Sequence, residues 1–83
     1  GFNIEADFRK CEFSILVHDD FQGQGLAYKL IDILIGIADE KGLEEFYGYI
    51  EPQNRKMVRL CEKLGMSAEK SPDDLTRVSL RLR

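Results

Sequence analysis

An α/β chain with a mixed sheet is predicted from three observations. Short runs with strand character alternate with two stretches of helical periodicity. Glycine or proline punctuates the segments. The resulting order of strand, helix, strand, helix, strand is one that builds a sheet with crossover helices.

Each element has a local reason. Phe13 to Val17 is apolar apart from Ser14 and is bounded by His-Asp-Asp, the pattern of a strand buried on both faces. From Gly25 onward Leu26, Ala27, Leu30, Ile31, Leu34, Ile35 and Ala38 recur at helical spacing, and Gly42 stands where a left-handed C-cap is expected. In "EFYGYIE" Phe46, Gly48 and Ile50 alternate with Tyr47 and Tyr49, and Pro52 stops the strand. Asn54 is placed to cap a second helix whose apolar face is Met57, Val58, Leu60, Cys61 and Leu64, with Gly65 as its C-cap. "SPDD" has turn chemistry, after which Val78, Leu80 and Leu82 alternate with Ser79 and Arg81 as a last strand. The first ten residues can supply part of a hairpin.

Composition narrows the function. With 83 residues the chain is one domain at most and buries a modest fraction of its surface, so it is expected to be marginally stable or to lean on a partner. Its 12 Lys+Arg against 15 Asp+Glu leave a net charge of -3 and no basic block, which argues against nucleic acid. Cys11 and Cys61 match no metal-ligand spacing, and one histidine accompanies them, so no metal is expected. Both cysteines read as reduced, in a cytoplasmic chain. The apolar stretch Leu30–Ala38 is too short to span a bilayer and contains Asp32, so no membrane partner is expected.

The stretch "FQGQGLAY", residues 21–28, joins a strand to a helix start. Such a junction aims unpartnered backbone N–H groups outward along a positive helix end. Gly23 and Gly25 remove side chains that would hold an anion away from the main chain. At roughly 1.5–3 kcal/mol for each charge-assisted hydrogen bond, three or four would hold a pyrophosphate. The spacing does not fit a Walker loop. The dinucleotide fingerprint fails as well, because Tyr28 occupies its third small position.

The same stretch resembles the acyl-CoA pyrophosphate loop of the GNAT N-acyltransferase superfamily, in which Gln22, Gly25 and Ala27 match the recurring Gln/Arg, Gly and Gly/Ala positions. The resemblance continues through "YIEPQNRKMVRLCEKLGM" and "VSLRLR", and is similar in detail to the GNAT modules of bacterial protein lysine acetyltransferases, often fused to an acyl-CoA-synthetase-like region. It implies the C-terminal portion of a GNAT fold, a partial domain over residues 1–83. It further implies that an N-terminal strand and helices are missing, to be supplied by preceding residues or by a homo-oligomeric partner.

The implied activity is acetyl transfer from acetyl-CoA to an amine, a protein lysine or a small amine, with acetyl-CoA as cosubstrate. The main chain of Ile15, Leu16 and Val17 would pair with the pantetheine arm. Gln22, Gly23, Gln24, Gly25, Leu26 and Ala27 would take the pyrophosphate, and Asn54 would bond the pantetheine arm. Glu12 falls where related lysine acetyltransferases carry a catalytic glutamate, on the strand face shared with Ser14 and Leu16. Such a base is needed, because deprotonating a lysine amine at neutral pH costs about 4.6 kcal/mol.

Plainer roles compete. Ile15–Val17 suit a core in any case, Asn54 suits an ordinary N-cap, and Glu12 suits a solvated strand end. Glu51 is a weaker rival base. Many members carry a tyrosine acid seven residues after the asparagine; here Cys61 stands there and reads as core. His18 reads as a surface turn residue. Two alternatives to an enzyme remain, a non-catalytic acyl-CoA-binding regulatory module and a structural fragment that binds nothing.

Overall fold

The computed structural model describes residues 1–7, 9–14 and 25–83. Its elements run β1 (Phe2–Ile4), β2 (Lys10–Phe13), α1 (Leu26–Glu40), β3 (Glu45–Ile50), α2 (Arg55–Lys63), β4 (Ser67–Lys70) and β5 (Thr76–Arg81). The five strands form one mixed sheet in the order β1-β2-β3-β5-β4. Among the described strands only the β2–β3 pair is parallel, and α1 makes the crossover that a parallel pair demands.

β1 and β2 close the expected hairpin, with Phe2 opposite Phe13 and Ile4 opposite Cys11. The described strand starts earlier than the predicted Phe13 to Val17, of which Phe13 and Ser14 lie within the described residues. It begins at Lys10, and it alternates: Cys11 and Phe13 are buried, whereas Lys10 and Glu12 are half-buried. Pairing on both sides, to β1 and β3, draws the charged residues Lys10 and Glu12 into the strand. Ile15, Leu16 and Val17 lie outside the described residues, as do His18 and the loop residues Gln22, Gly23 and Gln24.

α1 starts at Gly25, which adopts φ 80°, and ends with Leu43 N–H donating to the Ala38 carbonyl at 3.1 Å beside Gly42, φ 75°. Both glycines occupy left-handed backbone that costs an L-residue about 1–2 kcal/mol. The predicted apolar face of α1 splits into two stripes. Ala27, Ile31, Leu34 and Ala38 are buried, but Leu26 and Leu30 are 58% and 40% exposed. They line up instead with Ile33, 59% exposed, because α1 is apolar around much of its circumference.

α2 begins as predicted, with the Asn54 side chain accepting a hydrogen bond from Met57 N–H at 3.3 Å. β4 was not predicted. It pairs antiparallel with β5 across the Ser71–Asp74 turn, and all four of its residues are exposed, so no apolar alternation announces it.

Sheet register assigns the two faces. Cys11, Phe46 and Leu80 are laterally aligned, as are Gly48 and Val78, and this face meets Ile31, Leu34 and Ala38 of α1 and Cys61 of α2 in one core. The opposite face carries Glu12, Glu45, Tyr47, Tyr49, Arg77 and Ser79, and no described helix covers it. The β2–β3 ladder ends at Glu12–Tyr47 among the described residues, while β3 continues to Ile50. At that point Phe13 lies over Gly48 and stacks on Phe46, with centroids 4.8 Å apart and planes 3° from parallel.

Candidate functional site

A groove of about 520 Å³ opens between the start of α1 and the side of α2. α1 contributes Gly25, Ala27 and Tyr28 to it, and α2 contributes Lys56, Met57, Arg59, Leu60 and Lys63. Three of the predicted loop residues are thereby located. Gly25 and Ala27 line the groove, whereas the Leu26 side chain is exposed outside its lining. No side chain caps α1, and its first turn holds no acidic residue, so its leading N–H groups have no side-chain acceptor among the described residues. Among the described residues a Cβ built on Gly25 would meet nothing within 4 Å. The positive φ gives Gly25 a backbone reason of its own, independent of any ligand.

Asn54 sits at the neighbouring helix start. Its carbonyl oxygen serves as the N-cap, and its amide NH2 retains donors beyond that bond. Glu51 is turned to local use, accepting from the Gln53 amide at 2.8 Å. Cys61 is fully buried, and burial, reinforced by the Glu62 charge, pushes its thiol up to about 11. Burial likewise raises the Cys11 thiol. Both are free, and among the described residues no group of three or more His, Cys, Asp or Glu side chains could hold a metal ion. No described helix is long and apolar enough to cross a membrane.

Glu12 lies on the opposite sheet face from the groove, as the register partner of Tyr47. Register brings in partners that sequence reasoning missed. The Tyr47 hydroxyl donates to the Glu5 carboxylate, Tyr49 meets the Tyr47 ring edge-on at 6.0 Å, and the Arg77 guanidinium lies 4.5 Å over that ring. Arg77 is held in turn by Glu45 at 2.5 Å. Burial raises the Tyr47 phenol, as do the Glu5 hydrogen bond and the charges of Glu5 and Glu12, so it stays a neutral donor. The structure therefore brings Gly25, Ala27 and the face of α2 together, and sets Glu12 beside Tyr47 across the sheet. Among the described residues the last β2–β3 pair is Glu12–Tyr47, next to Phe13.

The basic wall of the groove was also missed. Lys56, Arg59 and Lys63 recur at three- and four-residue intervals, a signal present in the sequence. Their significance depends on α1 standing opposite.

A family model described as "Acetyltransferase (GNAT) domain" matches residues 1–67. An acetyltransferase of Pseudomonas aeruginosa is 38% identical over 73 residues, covering 88% of this chain and 39% of that protein. Among solved structures, yncA of Salmonella typhimurium, described as an acetyltransferase and determined with its cofactor acetyl-CoA, superposes with a TM-score of 0.85 at 31% identity. That match covers 99% of this chain and 56% of the other. The GNAT domain of S. lividans PAT gives a TM-score of 0.80 at 29% identity, over 93% of this chain and 44% of that one. The chain thus spans about two fifths to just over half the length of these relatives.

Proposed function

The chain belongs to the acetyltransferase (GNAT) family, and from that premise we propose that it carries the acetyl-CoA donor site of an N-acetyltransferase whose acceptor is a primary amine, in particular a protein lysine. The observation that carries this reading is the groove beside Gly25. A strand leads through a glycine-rich segment to an uncapped helix start, and the groove beside that start is lined by cations in a chain that is acidic overall. Anionic phosphates suit that wall.

In the proposed reaction the deprotonated amine attacks the thioester carbonyl, the C–N bond forms, and the C–S bond breaks with the electron pair leaving on sulfur. Glu12 takes the proton from the incoming ammonium. Its place on the sheet face that carries Tyr47 supports this role, because a thioester presented on that face would stand near its carboxylate. Cys61 is fully enclosed, which supports water as the proton source for the departing thiolate. A lysine acceptor is favoured by the residue-level likeness of the Gln22–Ala27 loop and the Asn54 helix to lysine acetyltransferases. The stripe Leu26, Leu30 and Ile33 supports self-association as a further part of the proposal.

Calorimetric titration of acetyl-CoA into the chain tests the donor site. Gly25→Asn is the useful variant, since asparagine tolerates left-handed backbone while its side chain enters the open space. Binding at about micromolar affinity, weakened tenfold or more by Gly25→Asn, is expected for backbone–phosphate contacts. Absence of binding, or equal affinity in the folded variant, overturns the assignment.

A further inference from the structure

We propose that Tyr49 is a specificity-determining residue on the acceptor side, its ring forming the platform for the aliphatic stem of a long-chain primary amine whose ammonium meets Glu12. The inference rests on the amine-acceptor reading above and adds to it a dependence on stem length that a carboxylate alone does not give.

The sheet face away from the helices is tightly organised around Tyr49. Arg77 and Glu45, each with its side chain only 23% exposed, hold one another at 2.5 Å, and the guanidinium covers the Tyr47 ring from 4.5 Å. Tyr47 is thereby buried, with its hydroxyl committed to Glu5. Tyr49 differs from all of these. It is 43% exposed, yet its ring is fixed edge-on against Tyr47 with centroids 6.0 Å apart and planes at 85°. An aromatic ring that is open to a ligand and already oriented offers apolar surface at little ordering cost.

Charge on this face favours a cation. Glu12 makes no ion pair with any described residue. The groups around it are Glu5 at the end of β1, Lys10 on its own strand, Glu45 and Tyr47 on β3, and Arg77 on β5. Three carboxylates against two cations leave this part of the sheet negative. Arg77 is taken up by Glu45, and Lys10 is the register partner of Glu45, on the side of Glu12 away from Tyr49. An ammonium arriving over Tyr49 therefore reaches Glu12 from the side opposite Lys10.

Spacing decides the stem. Tyr47 is the register partner of Glu12, and Tyr49 lies two residues further along β3 on the same face. One strand spacing and a two-residue rise separate the Glu12 and Tyr49 backbones by about 8 Å. A lysine-length stem bridges that gap with its ammonium at Glu12 and its far methylenes on the ring, as lysine stems lie along apolar surface elsewhere. A shorter stem leaves the ring uncovered. Full burial of a methylene is a roughly fourfold effect, so contact on one side is roughly twofold.

The test is an NMR titration of the 83-residue chain with methylamine, ethylamine, propylamine and butylamine at low ionic strength, following the Glu12 and Tyr49 amide signals. Butylamine is expected to bind about eightfold more tightly than methylamine, roughly twofold for each added methylene, with the Tyr49 signal moving only for the longer amines. Tyr49→Phe should keep that gradient, and Tyr49→Ser should flatten it to the affinity of methylamine. Glu12→Gln should weaken all four amines alike. A gradient that survives in Tyr49→Ser, or that Tyr49→Phe loses, overturns the platform. The wild-type series needs no substitution, so misfolding of a variant cannot decide it: equal affinity for all four amines refutes the inference while the amine-acceptor reading stands. If no amine moves the Glu12 signal, that reading fails at this face and the inference with it, whereas the donor site is judged separately by acetyl-CoA titration.

Discussion

Gly48→Ala perturbs the packing next to the last described pair of the β2–β3 ladder, Glu12–Tyr47. A Cβ at Gly48 would lie 2.5 Å from Phe13 Cε1, 2.7 Å from Cζ and 2.9 Å from Cδ1. Comfortable carbon contacts are about 3.5–4.0 Å, so the overlap is about an ångström. The ring has little room to retreat, since Phe13 is 5% exposed and stacks against Phe46, which is fully buried. Overpacking of this kind costs roughly 1–3 kcal/mol. Backbone effects oppose it: Gly48 is not among the positive-φ glycines, and alanine in a strand recovers roughly 0.5–1 kcal/mol. The net expectation is a loss of about 1–2 kcal/mol, or roughly 4–16 °C in Tm for a domain of this size. Urea unfolding followed by circular dichroism measures it. Phe13→Leu should partly relieve the clash, so the double variant should be more stable than the summed single losses by about 1 kcal/mol. Wild-type stability in Gly48→Ala, or strict additivity in the cycle, would refute the steric reasoning.

In a domain completed by the residues its relatives carry, Glu12→Gln should lower kcat roughly 10²–10⁴-fold against a lysine peptide with acetyl-CoA affinity little changed, and Glu51→Gln should do much less. Unchanged thiol release in Glu12→Gln would place the base elsewhere. The Cys61 thiol, raised from an ordinary 9.0 to about 11, contributes stability that is complete below pH 9 and lost as pH climbs towards 11. Urea midpoints should therefore fall across that window by an amount equivalent to roughly 2–3 kcal/mol, and Cys61→Ala, though less stable at pH 7, should show a shallower slope. A flat profile from pH 8 to 10.5 contradicts the burial argument. Ile33→Asp should shift the chain towards monomer in light scattering coupled to size exclusion; a wild-type chain that is already monomeric removes the proposed self-association.

Local chemistry was legible from the sequence wherever one or a few neighbouring residues decide the backbone. Asn54 capping α2, the left-handed glycines Gly42 and Gly65, and the Pro52 stop after β3 all follow from side-chain reach or φ limits within a turn. The family could be recognised for a similar reason, since the residues of the Gln22–Ala27 loop and the Asn54 helix are contiguous in the chain. What depended on distant partners was not legible. Ser67–Lys70 forms a strand only because β5 pairs with it, and its exposed residues leave no periodic mark. Helical spacing marks α1 as apolar but cannot say which stripe meets the sheet; Ala27, Ile31, Leu34 and Ala38 do, while Leu26 and Leu30 are exposed. Tyr47 is buried because Glu5 and Arg77, remote in sequence, arrive through strand register. The cations of α2 were countable in the chain, yet they become one wall of a groove only when α1 packs opposite, because a helix face acquires a meaning from what stands across from it.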